Sequence, residues 1–384
     1  MTALVERVRR RLVDEGITRV PDSARVAAAL RDEGIVLGDV ALLSLVGALR
    51  DELGGLGPLQ SLLLDPAVTD VLVNGPDEVW IDRGEGLEPA DVCFDSSASV
   101  LRLAQRLATM AGRRLDEAAP FVDARLADGT RLHAVIPPIA TPCSLISLRI
   151  PRQRGFRLDE LVAAGTIDVK AAEWLRAIVA ARLAFLVSGG TGSGKTTLLS
   201  TLLEVVDPAH RVLIVEDSAE LRPRHPHVVR LEARPANLEG VGVVTLRDLV
   251  RQALRMRPDR VVVGEVRGAE VVDLLASMNT GHEGGCGTVH ANSPADVPAR
   301  LEALGLMAGL PRDAVHALIA AGVQCLIHLD RSPRRVSEIH AVATIAGRAC
   351  SQPALILRDG RLREAPGLES LAAQLVAAGV AVPA

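Results

Sequence analysis

Three regimes of apolar spacing divide the chain. From Thr2 to Leu53, leucine, valine and alanine recur at helical intervals, and breaks from Gly16 to Pro21 and from Gly34 to Gly38 predict three helices, the first rich in arginine. Past the glycine-rich breaker between Leu53 and Pro58 the period shortens to that of strands. Val68–Val73, Glu78–Asp82 and Leu87–Phe94 are expected strands, separated by Asn74-Gly75-Pro76 and by the polar run 83–86. An amphipathic helix over Ser97–Gly112 follows, then a hairpin of Phe121–Leu126 and Arg131–Ile136 about Asp128-Gly129, and a strand at Ser144–Ile150.

Beyond Gly155 strands and helices alternate, as in a parallel sheet with helical crossovers. The expected strands are Ala184–Ser188, Val212–Glu216, Val261–Glu265 and Gly287–His290. The expected helices are Val169–Arg182, Thr196–Val206, Leu246–Met256 and Ala269–Met278, with two more near Ala295–Leu306 and Arg312–Ala321 before a hairpin of Gln324–Leu329 and Val336–Ile345. The organisation that results is a helical extension over 1–55, a small α+β domain over 56–150 and an α/β domain over 151–384.

Composition narrows the setting. A formal net charge of −4 gives no general reason to expect nucleic acid or an acidic membrane as a partner, although a local basic face is compatible with it. The five cysteines are scattered and contain no C-x-x-C pair, which fits free thiols in a reducing compartment. The opening MTALVERVRRRLVDEG carries charges where a secretion signal needs an apolar core, and the most apolar stretches are too short and polar to cross a membrane. A cytoplasmic protein is expected, with any membrane role mediated by partners.

The segment AFLVSGGTGSGKTT, Ala184 to Thr197, carries the strongest chemical signal. An apolar strand runs into G-x-x-x-x-G-K-[ST] and then a helix, which is the setting of a phosphate-binding P-loop. Gly189 and Gly194 hold the fixed glycine positions, and Gly190, Thr191, Gly192 and Ser193 complete a loop whose backbone N–H groups can converge on an anion. Lys195 would reach the β- and γ-phosphates, Thr196 would ligate Mg²⁺, and Thr197 continues the helix. Only two lysines occur, Lys170 and Lys195, so the chain keeps lysine where a compact point charge is wanted.

Three further segments end strands of the same sheet. RPDRVVVGEVR places Glu265 at a strand's carboxyl end, where a ligand crevice lies and an acid can hold Mg²⁺. VLIVEDSAEL brings Glu216, Asp217 and Glu220 to another such end, where a carboxylate can polarise the attacking water. TGHEGGCGTVHANS contributes His282, His290 and Asn292, of which a histidine can donate to phosphate oxygens. Zinc is the rival reading of His282, Cys286 and His290, but a fourth ligand at matching spacing is missing. Near these motifs the α/β half offers few cations beyond Lys195.

Taken in order, the P-loop, EDSAEL, RPDRVVVGEVRG and TGHEGGCGTVHANSP resemble the secretion-ATPase superfamily of type II and type IV secretion and type IV pili. LGPLQSLLLDPAVTDVLVNGPDEVWIDRG and GRRLDEAAPFVDARLADGTRLHAVIPP resemble its CpaF-like tight-adherence (Flp) pilus branch. The resemblance implies a RecA-like P-loop ATPase domain behind a small α+β domain, hydrolysing Mg²⁺-ATP as a homohexamer. It implies docking on inner-membrane platform proteins, without direct nucleic-acid binding. Carried over by motif, Lys195 and Thr196 bind phosphate and Mg²⁺, Glu265 is the Walker B acid, Glu220 is the base with Glu216 its competitor, and His290 senses the γ-phosphate. Arg131 and Arg149, which have no evident acidic partner in sequence, match positions of the smaller domain that reach nucleotide phosphates, with Arg114 and Arg125 as weaker candidates. A conjugation-type traffic ATPase is the alternative within the family. A RecA-like nucleic-acid motor is the alternative outside it, and would want stacking aromatics where this chain has few.

Overall fold

A computed structural model of the chain describes residues 28, 30, 38, 55–84, 86–150, 155–234, 236, 241–279, 283–358 and 360–383. Apart from isolated positions, the three helices expected between Thr2 and Leu53 fall outside these residues. Two units result, Met1–Arg152 and Gln153–Ala384.

In the first unit a one-turn helix α1 (Gln60–Leu63) leads to strands β1 (Asp70–Gly75), β2 (Glu78–Asp82) and β3 (Leu87–Pro89). Helix α2 (Ser97–Met110) follows, then β4 (Phe121–Arg125), β5 (Arg131–Val135) and β6 (Leu145–Arg149). The strands form one sheet in the order β3-β2-β1-β6-β5-β4 with every neighbouring pair antiparallel. Period-two alternation sends Val71, Val73, Val79, Ile81, Leu132 and Ile146 to one face, where they pack with Val100, Leu103 and Leu107 of α2. The third strand stops at Pro89, short of the expected Phe94. Beyond the bond from Ala90 N to Val79 O the chain turns back, and Phe94 donates its N–H to Pro76 O at 2.8 Å and buries its ring.

The second unit opens with α3 (Leu158–Ala163) and α4 (Val169–Ala180), then β7 (Phe185–Gly189) and α5 (Lys195–Glu204). Next come β8 (Val212–Glu216), β9 (Val228–Glu232), α6 (Leu246–Ala253), β10 (Arg260–Val266), α7 (Glu270–Met278) and β11 (Cys286–His290). Helices α8 (Val297–Met307) and α9 (Arg312–Gly322) precede β12 (Cys325–Arg331), β13 (Arg334–Ile345), β14 (Arg348–Arg358), β15 (Arg361–Glu364) and α10 (Leu368–Ala377). The strands make a nine-stranded sheet in the order β15-β14-β13-β12-β7-β11-β10-β8-β9. From β12 to β9 neighbouring strands are parallel; the β12–β15 meander is antiparallel.

Both faces of this sheet are covered, which is why its central strands read as unbroken apolar runs. Phe185 and Val187 of β7 pack with Trp174, Leu175 and Ile178 of α4 on one side, while Leu186 joins Val263, Leu274 and Ile319 on the other. Burying each such side chain contributes about 1.5–3 kcal/mol. Because β7, β8, β10 and β11 all run the same way, Gly189, Glu216, Glu265 and His290 come to one edge of the sheet.

Candidate functional site

The loop from Gly189 to Gly194 is shaped by its glycines. Gly189, Gly192 and Gly194 have φ of 151°, 74° and 99°, a region that penalises side chains. At Gly189 a Cβ would stand 2.6 Å from both Leu329 O and Ser193 Oγ, so only glycine lets the loop leave between β11 and β12. At Gly190 and Gly192 a Cβ would meet nothing within 4 Å; the rim of the loop is open there. Gly194 caps α5, and Lys195, Thr196 and Thr197 form its first turn, at the positive end of the helix dipole. These features fit a chain of phosphates.

Lys195 is 7% exposed, and its ammonium donates to Gly190 O at 2.7 Å and Gly189 O at 3.1 Å. Burial lowers its pKa, opposed by the charge of Glu265. His290 connects the two: Nδ1 lies 3.4 Å from Lys195 Nζ, and Nε2 lies 2.8 Å from Glu265 Oε1. An ammonium can only donate and a carboxylate can only accept, so the bridging imidazole is neutral with its proton on Nε2. Burial, followed by the Lys195 charge, holds its pKa below the usual histidine value, in keeping with that form.

The acidic segment after β8 separates two carboxylates by environment. Glu216 is 4% exposed; its Oε1 accepts from the N–H groups of Glu220 and Leu221, each at 3.0 Å, and Oε2 has no partner among the described residues. Desolvation pushes this carboxyl up to about 7 against the pull of those two N–H groups. Glu220, four residues on, is exposed. Gly264 on β10 makes room for Glu216, since a Cβ there would meet Glu216 Cγ at 2.6 Å. Arg267 pairs with Asp217 and lies 3.9 Å from Glu265, tying the acidic segment to the end of β10.

A cavity of ≈ 570 Å³ opens beside the loop, with Gly189, Gly190 and Thr191 on one side and His290, Ala291 and Asn292 on another. Asp296 and Arg300 complete its lining. Neither was singled out by the motif reading. Arg300 stands ten residues after His290 and reaches the cavity because a 3-10 turn at Pro294–Asp296 leads straight into α8. That turn has no counterpart in the strand and helix periods.

The zinc reading loses its geometry here. Cys286 and His290 are four residues apart on β11, roughly 13 Å along a strand, too far to share one ion; His282 lies outside the described residues.

In the first unit, Arg125, Arg131 and Arg149 stand directly opposite one another across β4, β5 and β6, and Asp70 on β1 is the next residue in that row. Arg149 is not without an acidic partner, contrary to the sequence expectation: its Nε donates to Asp70 Oδ1 at 3.1 Å. Arg114 pairs with Asp116, outside this row. Both pairings join residues that only register or a turn brings together.

Comparison with known proteins accords with this arrangement. The family profile described as "Type II/IV secretion system protein" matches residues 52–368. A "putative conjugal transfer protein" of Mycobacterium tuberculosis is 56% identical over 322 residues, covering 82% of this chain and 92% of the relative. The "type IV secretion system protein PtlH" of Bordetella pertussis is 32% identical over 313 residues, covering 71% of this chain and 89% of the relative. Among solved structures, that described as "the Pilus Retraction Motor PilT and Bound ADP" aligns at a TM-score of 0.53 and 17% identity over 83% of this chain and 85% of the other, a likeness of fold. The chain belongs to the type II/IV secretion ATPase superfamily, with its α/β, RecA-like P-loop fold behind an N-terminal domain.

Proposed function

We propose that the protein hydrolyses Mg²⁺-ATP as a homohexameric motor at the cytoplasmic face of the inner membrane, powering a Flp/Tad-type pilus or a related type II/IV secretion machine through membrane platform proteins. The observation that carries the ATPase reading is the chain Lys195–His290–Glu265 beside a glycine loop open to a cavity, with acidic residues ending the adjoining strands. In this reading the loop and Lys195 hold the phosphates, and Thr196 with Glu265 holds Mg²⁺. Bound there, Mg²⁺ would neutralise charge on the β- and γ-phosphates. His290 follows the state of the γ-phosphate through its bonds to Lys195 and Glu265. The buried, backbone-bonded position of Glu216 favours the exposed Glu220 as the base that orients water.

A conjugation-type machine is the second reading, favoured by the description of the 56% identical mycobacterial relative as a putative conjugal transfer protein. Pilin and platform-protein genes beside this one would support pilus assembly, whereas relaxase and coupling-protein genes would support conjugation. A nucleic-acid motor is a separate class, and hydrolysis strongly stimulated by DNA would favour it over both.

Hydrolysis by the purified chain tests the common core. Lys195→Ala is expected to abolish turnover, and Lys195→Arg to impair it severely, because a planar guanidinium does not fit a buried site that two carbonyls shape around an ammonium. Glu265→Gln and Glu220→Gln are expected to bind ATP while turnover falls by on the order of 10²-fold or more. Near-normal hydrolysis by Lys195→Arg would refute the geometric argument, and loss of binding in the two Gln variants would reassign their roles.

A further inference from the structure

We infer that Arg300 donates to the terminal phosphate of the bound nucleotide and thereby distinguishes triphosphate from diphosphate; this rests on the ATPase reading above. The α/β half is less poor in cations than its motifs suggest, and Arg267 and Arg300, both near the acidic strand ends, differ in one respect. Arg267 is neutralised by Asp217. Arg300 lines the cavity and, among the described residues, makes no ion pair or hydrogen bond. Asp296, one helical turn earlier and also on the cavity, is engaged by Ser293 Oγ at 2.8 Å.

The location identifies which phosphate Arg300 would meet. A P-loop lysine serves the β- and γ-phosphates, and here the lysine ammonium sits at Gly189 O, Gly190 O and His290. The wall formed by Gly189 to Thr191 and His290 to Asn292 is therefore the terminal-phosphate end of the site, and Arg300 completes it. The guanidinium is also close enough to His290 to oppose its protonation, after burial and Lys195. The backbone beneath it is held firmly, because Val297, Pro298 and Leu301 of α8 are buried. The Arg300 side chain is itself exposed, so the helix fixes where it starts and its guanidinium is open to offer a planar fork of donors to phosphate oxygens.

The chemistry that would use it is the in-line displacement. Water oxygen bonds to the γ-phosphorus, the bond to the β–γ bridging oxygen breaks, the water proton passes to the carboxylate base, and ADP and inorganic phosphate result. Negative charge on the equatorial oxygens is where Arg300 acts, as a cation supplied by the same chain.

The test compares the full chain with Arg300→Ala and Arg300→Lys in three measurements: calorimetric affinity for Mg²⁺-ADP, the same for the Mg²⁺ complex of a non-hydrolysable ATP analogue, and steady-state kcat. Arg300→Ala is expected to bind ADP within about twofold of the wild type while losing about tenfold to a hundredfold in affinity for the analogue. Its kcat should fall on the order of 10²-fold, with Arg300→Lys intermediate. An unchanged ratio of analogue to ADP affinity would overturn the inference. So would an equal loss of both, which would mark Arg300 as part of the general field or of helix packing. Failure of the wild type to bind either nucleotide would instead remove the ATPase reading itself.

Discussion

The Glu216 carboxyl is held by two backbone N–H groups on one oxygen and by nothing among the described residues on the other, and it is 4% exposed. Its pKa is raised from 4.5 to about 7, chiefly by desolvation, so the folded state holds this proton more tightly than the unfolded chain does. The stabilising contribution is full below pH ~4.5 and is lost as pH rises through about 7, where it corresponds to ~3 kcal/mol. Glu216→Gln keeps the shape and removes the ionisation. The nucleotide-free variant should therefore match the wild type in chemical denaturation at pH 5 and exceed it at pH 8; a difference independent of pH would show that the carboxyl ionises freely in the fold. Sequence placed Glu216 and Glu220 together as rival bases, since both follow one apolar strand. Their unequal burial is set by Gly264 and by the turn of residues 217–221, which no local pattern encodes.

Strands β8 and β10 are paired from Val212↔Arg260 to Val215↔Val263, and immediately past this ladder the side chain of Glu216 lies over the bare backbone of Gly264. Gly264→Ala should push Glu216 aside and with it the segment that carries Glu220. A destabilisation of about 1–3 kcal/mol and a matching loss of hydrolysis are expected. In a Glu216→Ala background the same glycine substitution should cost much less, so a double-mutant cycle by denaturation reads the contact directly, and additive effects would deny it. The elements with strong periods were legible, as the identity of the expected and observed bounds of Val212–Glu216 illustrates. Strand β9 was not, because its half-exposed VVRLE lies at the edge of the sheet and lacks a buried run. The β13–β14 turn also escaped notice. Its Ala346-Gly347 pair has φ of 49° and 76°, and alanine pays about 1–2 kcal/mol to enter a conformation whose usual signals are Asn, Asp or Gly.

At the scale of the molecule the row of Arg125, Arg131 and Arg149 is the least explained by folding alone. Like charges directly opposite across strands are destabilising, and Arg149 at the end of the row is paired with Asp70. If an arginine of a neighbouring copy stabilises charge on the phosphates, hydrolysis requires the ring. Specific activity should then rise with protein concentration alongside mass by light scattering. Mixing inactive Lys195→Ala with Arg149→Ala should restore part of the turnover. A fully active monomer would sink both the hexamer and the shared site.

Sequence by itself determined the P-loop, the acids and histidine that end its neighbouring strands, and the superfamily, because each is a local pattern whose residue types answer to one chemistry. It also carried the α/β order of the second unit, since strand and helix periods are properties of short segments. Tertiary structure alone decided which groups touch: the Lys195–His290–Glu265 chain, the burial of Glu216 over Gly264, the Arg149–Asp70 pair and the arrival of Arg300 at the cavity. Those contacts join residues tens of positions apart, or depend on the angle of one irregular turn, and strand register, parallel in the second unit and antiparallel in the first, fixes them only once each sheet has closed.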